Sequence, residues 1–311
     1  DRETLKGAHA WLQGDWPTAT GRLRAAFELL TQARERFYPM DSYLIDLTLL
    51  EGESSSEGLR TLLREGPATT LMATGRAVES LGRRDPALLE SVREAVSLGR
   101  LDLIGGPLEE LEDAFMPLES VLWQFRRAAD AYRVHLDERT VETLARRRFG
   151  LSPGLAAITA KLGFRFALGW CLDEGTFPTV PEVKRLWDDG DGSSLECLFR
   201  TPDRADREAA GRRLPWRLGK SMNLDGSAVV LLAHWPEPVA AWYHEARRIA
   251  SYSPVLARWV TVGDFFHYTD RPYDGFHPQP DQYLSPWLRQ AVTRGDVRPV
   301  SRWVAHQRDR M

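Results

Sequence analysis

Residues 88–106, LLESVREAVSLGRLDLIGG, join a predicted helix to a predicted buried strand through a tight turn. Asp85 precedes the helix and can cap it, and Gly99 ends it. The run Leu101–Ile104 that follows is short and apolar, which is typical of a strand buried on both faces. A helix that returns at once to such a strand indicates a parallel sheet covered by helices.

The same alternation of short apolar strands and helices continues along the chain. Strands are predicted at 69–74, 101–104, 141–145, 164–170, 195–200 and 229–234. Helices are predicted at 77–82, 86–98, 117–135, 152–162 and 240–250, and another begins at Asp264. This pattern predicts an α/β fold, and we expect a (β/α)7-type barrel.

The N-terminal part of the chain departs from this alternation. Residues 15–37 are predicted to form a helix with one apolar face. The apolar run Ser42–Leu50 fits either a second helix, which Asp41 would cap, or a buried strand, and we favour the helix. The acidic, serine-rich segment 51–58 is typical of a linker or surface loop.

These patterns divide the chain into an N-terminal helical segment, residues 1–58, and an α/β barrel with a C-terminal extension, residues 59–311. The chain begins with Asp1 rather than Met, so we expect it to be part of a longer protein. We also expect the barrel to be incomplete at its N-terminus.

Composition limits the function classes. The 41 basic and 44 acidic residues give a net charge of −3. This balance of charge does not indicate binding to nucleic acid or to an anionic membrane. No apolar run approaches the roughly 20 residues that span a bilayer. Two cysteines, Cys171 and Cys197, favour a reducing cytoplasm. Eleven tryptophans are compatible with stacking on sugar rings, although most tryptophans pack in cores.

In parallel α/β folds, functional residues lie at the carboxyl ends of strands. This rule selects the segments 105–113, 146–152, 171–177, 200–203 and 234–237.

The order of several motifs resembles the catalytic domain of glycoside hydrolase families 38 and 57. Residues 88–106 are similar to a helix, turn and strand that end in Gly-Gly before an acidic loop in those families. Further similarities follow at 119–132, at Phe149-Gly150 with 162–164, and at 186–193. The resemblance implies a barrel of the glycoside hydrolase and deacetylase type that acts on carbohydrates.

Two departures from the family 38 pattern concern the metal. Family 38 enzymes use an Asp that is both metal ligand and nucleophile, and the matching position here is Arg147, which can do neither. Their H-x-D ligands lie on the first strand, which we expect before Asp1. The H-x-D at His135 and Asp137 lies at a helix end and is expected at the surface. We therefore predict no metal ligand here, and a divalent metal only if its ligands lie upstream.

Glycoside hydrolysis needs one carboxyl group as acid and a second as nucleophile or base. The candidates are Glu109 and Glu110 after the first glycine pair, and Asp173 and Glu174 after a later strand. The family 57 resemblance implies a functional glutamate shortly after the Gly-Gly pair, and the residue at that position is Glu109. The alternative for all four is a solvated loop or turn.

Three further residues are candidates for substrate binding. Arg147 lies between Arg146 and Arg148, where the group would form an anion clamp or fix carboxylates by ion pairs. His234 and Trp235 end a strong predicted strand. The alternative for His234 is a hydrogen-bonded core histidine.

Three functions remain open. The first is a carbohydrate-active protein that hydrolyses glycosidic bonds. The second is a non-catalytic carbohydrate-binding or scaffold protein on the same barrel, which the Arg147 position favours. The third is a polysaccharide deacetylase. In each case the expected partner is a carbohydrate or another small polar ligand.

Overall fold

The structure, a computed structural model, describes residues 1–37, 41–52, 54–64, 68–113, 116–137, 140–170, 172, 175–178, 180–224, 228–237, 239–250, 253, 255–284, 293–295 and 309. The helices within these residues are α1 Arg2–Leu12, α2 Trp16–Phe37, α3 Ser56–Arg64, α4 Gly75–Arg84, α5 Pro86–Ser97, α6 Leu118–His135, α7 Leu155–Lys161, α8 Glu208–Leu224, α9 Ala241–Ala250 and α10 Val262–Tyr268. A short 3-10 helix covers Pro280–Gln282.

The strands are β1 Ser42–Leu50, β2 Thr69–Ala73, β3 Leu101–Ile104, β4 Thr143–Leu144, β5 Phe149–Gly150, β6 Phe166–Leu168, β7 Gly175–Pro178, β8 Lys184–Asp188, β9 Ser194–Leu198, β10 Asp203–Arg204, β11 Ala228–His234, β12 Arg258–Val260, β13 Gly275–Phe276 and β14 Tyr283–Leu284. The predicted alternation of strands and helices from β2 to α10 is present, which confirms the α/β class.

Parallel pairing dominates the sheets. One sheet has the order β10-β11-β1-β2-β3, with β12 also beside β1, and a second has the order β13-β8-β9-β6-β4. A parallel bridge between Gly105 and Leu144 connects β3 to β4. The strands β11, β1, β2, β3, β4, β6 and β9 are therefore consecutive parallel neighbours. Over the described residues no ladder joins β9 to β10, so the closed seven-stranded barrel stays a prediction.

Strand β1 is the centre of the larger sheet, and our prediction of a helix over Ser42–Leu50 is wrong. All nine of its residues are buried, and it pairs with β11 on one side and with β2 and β12 on the other. A strand covered on both faces has a continuous apolar run rather than an alternating pattern, so periodicity cannot distinguish it from a short buried helix.

A central strand of the sheet thus precedes β2 within the chain, in the stretch that we predicted to be a helix. Side chains of β1 enter two cores. Tyr43, Ile45, Leu47 and Leu49 join a core with residues of β6, β9 and β11. Leu44 packs on the opposite side, under helices α8 and α9. The domain boundary at residue 58 stays a prediction, although β1 precedes it.

Helix α2 matches the helix predicted over residues 15–37, and α1 precedes it; the division into an N-terminal helical segment stays a prediction. They pack on each other, and Gly7 lets the backbone of α2 approach, because a Cβ there would lie 3.4 Å from the carbonyl oxygen of Ala19. The rings of Trp11 and Trp16 meet edge to face at 4.1 Å beside the turn. Among the described residues, no helix is long and apolar enough to cross a membrane.

Gly105 is required where β3 meets β4. A Cβ at this position would collide with the carbonyl oxygen of Ala73 and lie 2.9 Å from Oη of Tyr132, which itself donates to that carbonyl. We predict that Gly105→Ala lowers the free energy of unfolding by about 2–3 kcal/mol, because the backbone must shift. Chemical denaturation followed by circular dichroism measures this change.

The matched control is Gly21→Ala in helix α2, where a Cβ meets no atom within 4 Å. This variant should gain about 0.5–1 kcal/mol, the ordinary difference in helix propensity. If the two variants proved equally stable, the close approach of β2, β3 and α6 at Gly105 would be refuted.

Candidate functional site

A cavity of about 320 Å³ opens at the carboxyl ends of β1, β2, β3, β4 and β11. We call it the mouth cavity. Its lining comes from the segments that directly follow these strands and from the start of α4. The polar and aromatic side chains that line it are Glu51, Thr74, Arg76, Glu109, Glu110, Arg147, Arg148 and Trp235.

Arg147 connects two walls of the mouth cavity. Its guanidinium pairs with the carboxylate of Glu51, the first residue after β1. The same guanidinium lies over the ring of Trp235, 5.1 Å from the centroid, in cation–π geometry. The Arg147 side chain is only 9% exposed, whereas Glu51 is half exposed, so this ion pair is sheltered from solvent on one side. Arg148 lies 4.0 Å from the same Glu51 oxygen.

Glu110 accepts two backbone hydrogen bonds. The N–H groups of Arg147 and Arg148 donate to its two carboxylate oxygens at 2.6 and 2.8 Å. Burial raises the pKa of Glu110, and these N–H bonds together with the nearby guanidinium groups oppose the rise. Because both oxygens are engaged, Glu110 sets the direction of the backbone that carries Arg147 and Arg148 into the cavity.

The chain leaves this arrangement through a strained residue. Phe149 has φ +61°, the left-handed region, and Gly150 follows with φ +63°. For a bulky side chain this conformation costs about 1–2 kcal/mol, so surrounding contacts must impose it. The strain lies directly beside the cavity and turns the chain from Arg148 toward α7.

Glu109 lies on the opposite rim from Trp235 and is half exposed. Its carboxylate accepts a hydrogen bond from Nε of Arg76 at 2.8 Å, and its backbone N–H donates to Gln124 at 3.0 Å. Arg76 also pairs with Glu79 of the same helix at 3.0 Å. These pairs are exposed enough to contribute little to stability.

Arg146 does not line the mouth cavity. Its guanidinium is buried and binds the carboxylate of Asp113 and the carbonyl of Leu111. Burial raises the pKa of Asp113, and the charge of Arg146 opposes that shift. This buried pair fixes the acidic loop after β3 to the end of β4.

The ring of His234 does not line the mouth cavity, and its predicted role in substrate binding stays a prediction. The ring is buried, with Nε2 2.7 Å from Oδ1 of Asp46 in β1 and Nδ1 on the carbonyl of Trp235. Oη of Tyr243 donates to the same Asp46 oxygen. His234 is therefore the hydrogen-bonded core histidine of our alternative.

The remaining predicted site residues divide into two groups. Glu109, Glu110, Arg147 and Trp235 line one cavity, although they come from three different strand ends. Asp173 and Glu174 lie outside the described residues. Their catalytic and binding roles stay predictions.

Sequence reasoning missed Glu51 and Arg76. We assign Glu51 to a linker because the segment 51–58 is acidic and rich in serine. Once β1 is recognised as a strand, the rule of carboxyl ends selects Glu51 directly. Arg76 lies three residues after the end of β2, so the same rule would also select it.

The residues around the cavity do not fit the divalent metal of family 38. Among the described residues, no group of three or more His, Cys, Asp and Glu side chains could hold a metal ion. Arg147 places a guanidinium in the cavity at the position that matches the family's metal-binding Asp, and Glu51 is committed to that guanidinium.

The fold is similar to those of carbohydrate-processing enzymes at low sequence identity. A 4-α-glucanotransferase from Thermococcus litoralis matches 83% of this chain and 46% of its own, with TM-score 0.55 and 14% identity. An α-mannosidase from Enterococcus faecalis matches 77% and 30%, with TM-score 0.57 and 13% identity. A putative polysaccharide deacetylase from Mycobacterium smegmatis matches 77% and 95%, with TM-score 0.53 and 13% identity.

No family model and no curated protein matches the sequence. The chain spans less than half the length of the first two structures. At these identities the similarities show a shared α/β fold and nothing about activity.

Glu110 and Glu109 are adjacent but should respond differently to loss of charge. In Glu110→Gln one of the two backbone N–H groups would face an amide donor, so we predict a loss of about 1–3 kcal/mol in the free energy of unfolding. Glu109→Gln disturbs only an exposed ion pair and should cost less than about 1 kcal/mol. Urea denaturation of both variants measures the difference. Equal losses would show that Glu110 does not anchor Arg147 and Arg148.

Proposed function

We propose that the mouth cavity binds a carbohydrate and does not cleave it. The observation that carries this proposal is the position of Arg147, which stacks on Trp235 and pairs with Glu51 where the resembling enzymes would need a free carboxylate. The alternation of charged donors and acceptors around one aromatic ring supports a ligand with several hydroxyl groups. The described fold, which is similar to those of carbohydrate-processing enzymes, supports the same class of ligand.

The charges in the cavity favour a neutral ligand. Three carboxylates, Glu51, Glu109 and Glu110, oppose three guanidinium groups, Arg76, Arg147 and Arg148, so their formal charges cancel. Sugar hydroxyl groups can donate to the carboxylates and accept from the guanidinium groups at once. An anion or a cation of the same size would satisfy only one half of this lining.

Four of the six charged side chains are about half exposed and accessible to a ligand. They are Glu51, Arg76, Glu109 and Arg148, with side-chain exposures between 46% and 50%. Arg147 and Glu110 are the more buried members, and they hold the wall in place. We assign ligand contact to the first group and support of the wall to the second.

Hydrolysis of a glycosidic bond is the second candidate, because three carboxylates from two strand ends line the same cavity. In this arrangement Glu110, whose pKa is raised by burial, would act as the acid, and Glu51 would act as the base or nucleophile. Its weakness is that Glu51 is already paired with Arg147.

The proposal predicts measurable and nearly salt-independent binding of at least one neutral oligosaccharide. Isothermal titration against a panel of neutral and acidic oligosaccharides is the measurement. Because the cavity has no net formal charge, raising the salt concentration should change the affinity less than about twofold. Binding restricted to acidic sugars, with a steep salt dependence, would contradict the charge argument.

Trp235→Ala should weaken this binding about threefold to tenfold, because the ligand loses one aromatic contact. The matched control is Trp216→Ala, which removes an exposed tryptophan of α8 that does not line the cavity. If both variants lost binding equally, or neither did, the ligand would lie elsewhere. Circular dichroism of both variants checks that the fold is retained.

Turnover distinguishes the two candidate functions. We expect no hydrolysis of aryl glycosides by the wild-type protein, with or without a chelator, because the carboxylates are held by arginine or backbone N–H groups. Hydrolysis that persists with the chelator and disappears in Glu51→Gln would establish the second candidate and overturn the first.

A further inference from the structure

Asp46, in the middle of β1, is surrounded by hydrogen-bond donors. Thr48 and Thr69 donate their hydroxyl groups to Oδ2, and Tyr243 donates its phenol to Oδ1. The ring of His234 adds a fourth contact at 2.7 Å to Oδ1. A carboxyl group that faces three hydroxyl donors accepts all of them best when it is ionised. Asp46 is therefore a buried carboxylate.

His234 lies between two acceptors. Nε2 faces the ionised Asp46, and Nδ1 faces the carbonyl oxygen of Trp235. A neutral imidazole has one N–H and one lone pair, so it can donate to only one of these acceptors. Satisfying both requires the imidazolium form. The ring then joins the central strand to the backbone of Trp235, the residue that lines the mouth cavity.

We propose that protonated His234 positions Trp235 and that carbohydrate affinity in the mouth cavity falls when His234 loses its proton. This inference rests on the proposed function. In neutral His234, Nε2 keeps its hydrogen and donates it to the charged Asp46. The lone pair of Nδ1 then faces the lone pairs of the Trp235 carbonyl oxygen. Repulsion moves this backbone, and with it the ring that packs against Arg147.

Taken together, the charged and titratable groups that surround His234 favour its protonated form. From β1, Asp46 stabilises the imidazolium. From α9, Tyr243 lies 3.3 Å from Nε2, and Arg247 pairs with Asp46 at 3.6 Å and donates to the Tyr243 oxygen at 2.7 Å. Burial and Arg247 lower the pKa of His234, but the charge of Asp46 and the two hydrogen bonds outweigh them and raise it.

Burial would raise the pKa of Asp46, but the attraction of His234 and Arg247 outweighs it and leaves the pKa below its ordinary value. Burial raises the pKa of Tyr243 well above its ordinary range, so the phenol stays a donor. His234 is thus the member of this cluster that changes charge near neutral pH.

The sign of the stability effect follows from the raised pKa of His234. The stabilising contribution of the ion pair is complete below the ordinary histidine pKa of about 6.5 and is lost as the pH rises through the higher folded value. Trp235 should therefore report a single-proton transition with a midpoint above the ordinary histidine pKa of about 6.5.

Fluorine NMR of protein labelled with fluorotryptophan tests this without any ligand. The Trp235 resonance is identified by its absence in Trp235→Phe. In the wild-type protein we expect its chemical shift to follow one proton, with a midpoint above about 6.5. His234→Gln should abolish the transition, and Tyr243→Phe, the matched control, should keep it with a moved midpoint. If His234→Gln failed to fold, Asp46→Asn should lower the midpoint.

A wild-type Trp235 resonance that does not change between about pH 5.5 and 9, the range in which histidines titrate, would overturn the proposal, and so would a transition that persists in His234→Gln. A second titration with a bound neutral oligosaccharide should show affinity falling about fivefold or more across the same midpoint. Coupling of Trp235 to His234 without any oligosaccharide binding would refute the proposed function and leave the proton-dependent positioning intact. Oligosaccharide binding that is independent of pH would refute the link between the protonation of His234 and the affinity of the mouth cavity.

Discussion

The buried carboxylate of Asp46 is the constraint on which the arrangement of this fold depends. An ionised group without water costs several kcal/mol unless hydrogen bonds and opposite charge compensate it. Here the compensating groups come from different elements: Thr69 from β2, His234 from β11, and Tyr243 and Arg247 from α9. The central strand can therefore adopt only the position that satisfies all of them. Its register fixes Glu51 at the carboxyl end.

A series of contacts that begins at Glu51 connects the walls of the mouth cavity. Glu51 pairs with Arg147, and Arg147 stacks on Trp235, whose carbonyl accepts from His234. The chain of contacts thus begins at Asp46 in β1 and returns to it through the cavity wall. Glu110 adds a second support, since it holds the backbone from which Arg147 projects. A ligand in this cavity would meet a wall whose polar groups are already oriented.

In our proposal the same contacts separate this chain from enzymes with a similar fold. Glycoside hydrolysis requires two carboxyl groups that are free to exchange protons or attack carbon. In the mouth cavity Glu51, Glu109 and Glu110 are each engaged by arginine or by backbone N–H groups. Arg147 occupies the position where the family resemblance implies a metal-binding carboxylate, and it pairs there with Glu51. The shared fold supplies a polar cavity, and the side chains decide its use.

Much of this fold could be predicted from the sequence, and the failures have physical reasons. The stretch 88–106 correctly predicted α5 and β3, because a capped helix and a glycine turn are local signals. Ser42–Leu50 was misjudged because its burial depends on strands and helices distant in sequence. The rule of strand ends selected Glu109, Glu110, Arg147 and Trp235, which do meet. The contact of His234 with Asp46 could not be predicted, because Asp46 lies in the stretch that we predicted to be a helix and no local pattern pairs the two residues.

Hydrogen–deuterium exchange with and without a bound neutral oligosaccharide tests the central claim most directly. The account predicts that slower exchange is confined to the segments around Glu51, Glu109 to Glu110, Arg147 to Arg148 and Trp235, which meet only at the mouth cavity. Slower exchange elsewhere, for instance in helices α1 and α2, with none in these segments, would contradict it.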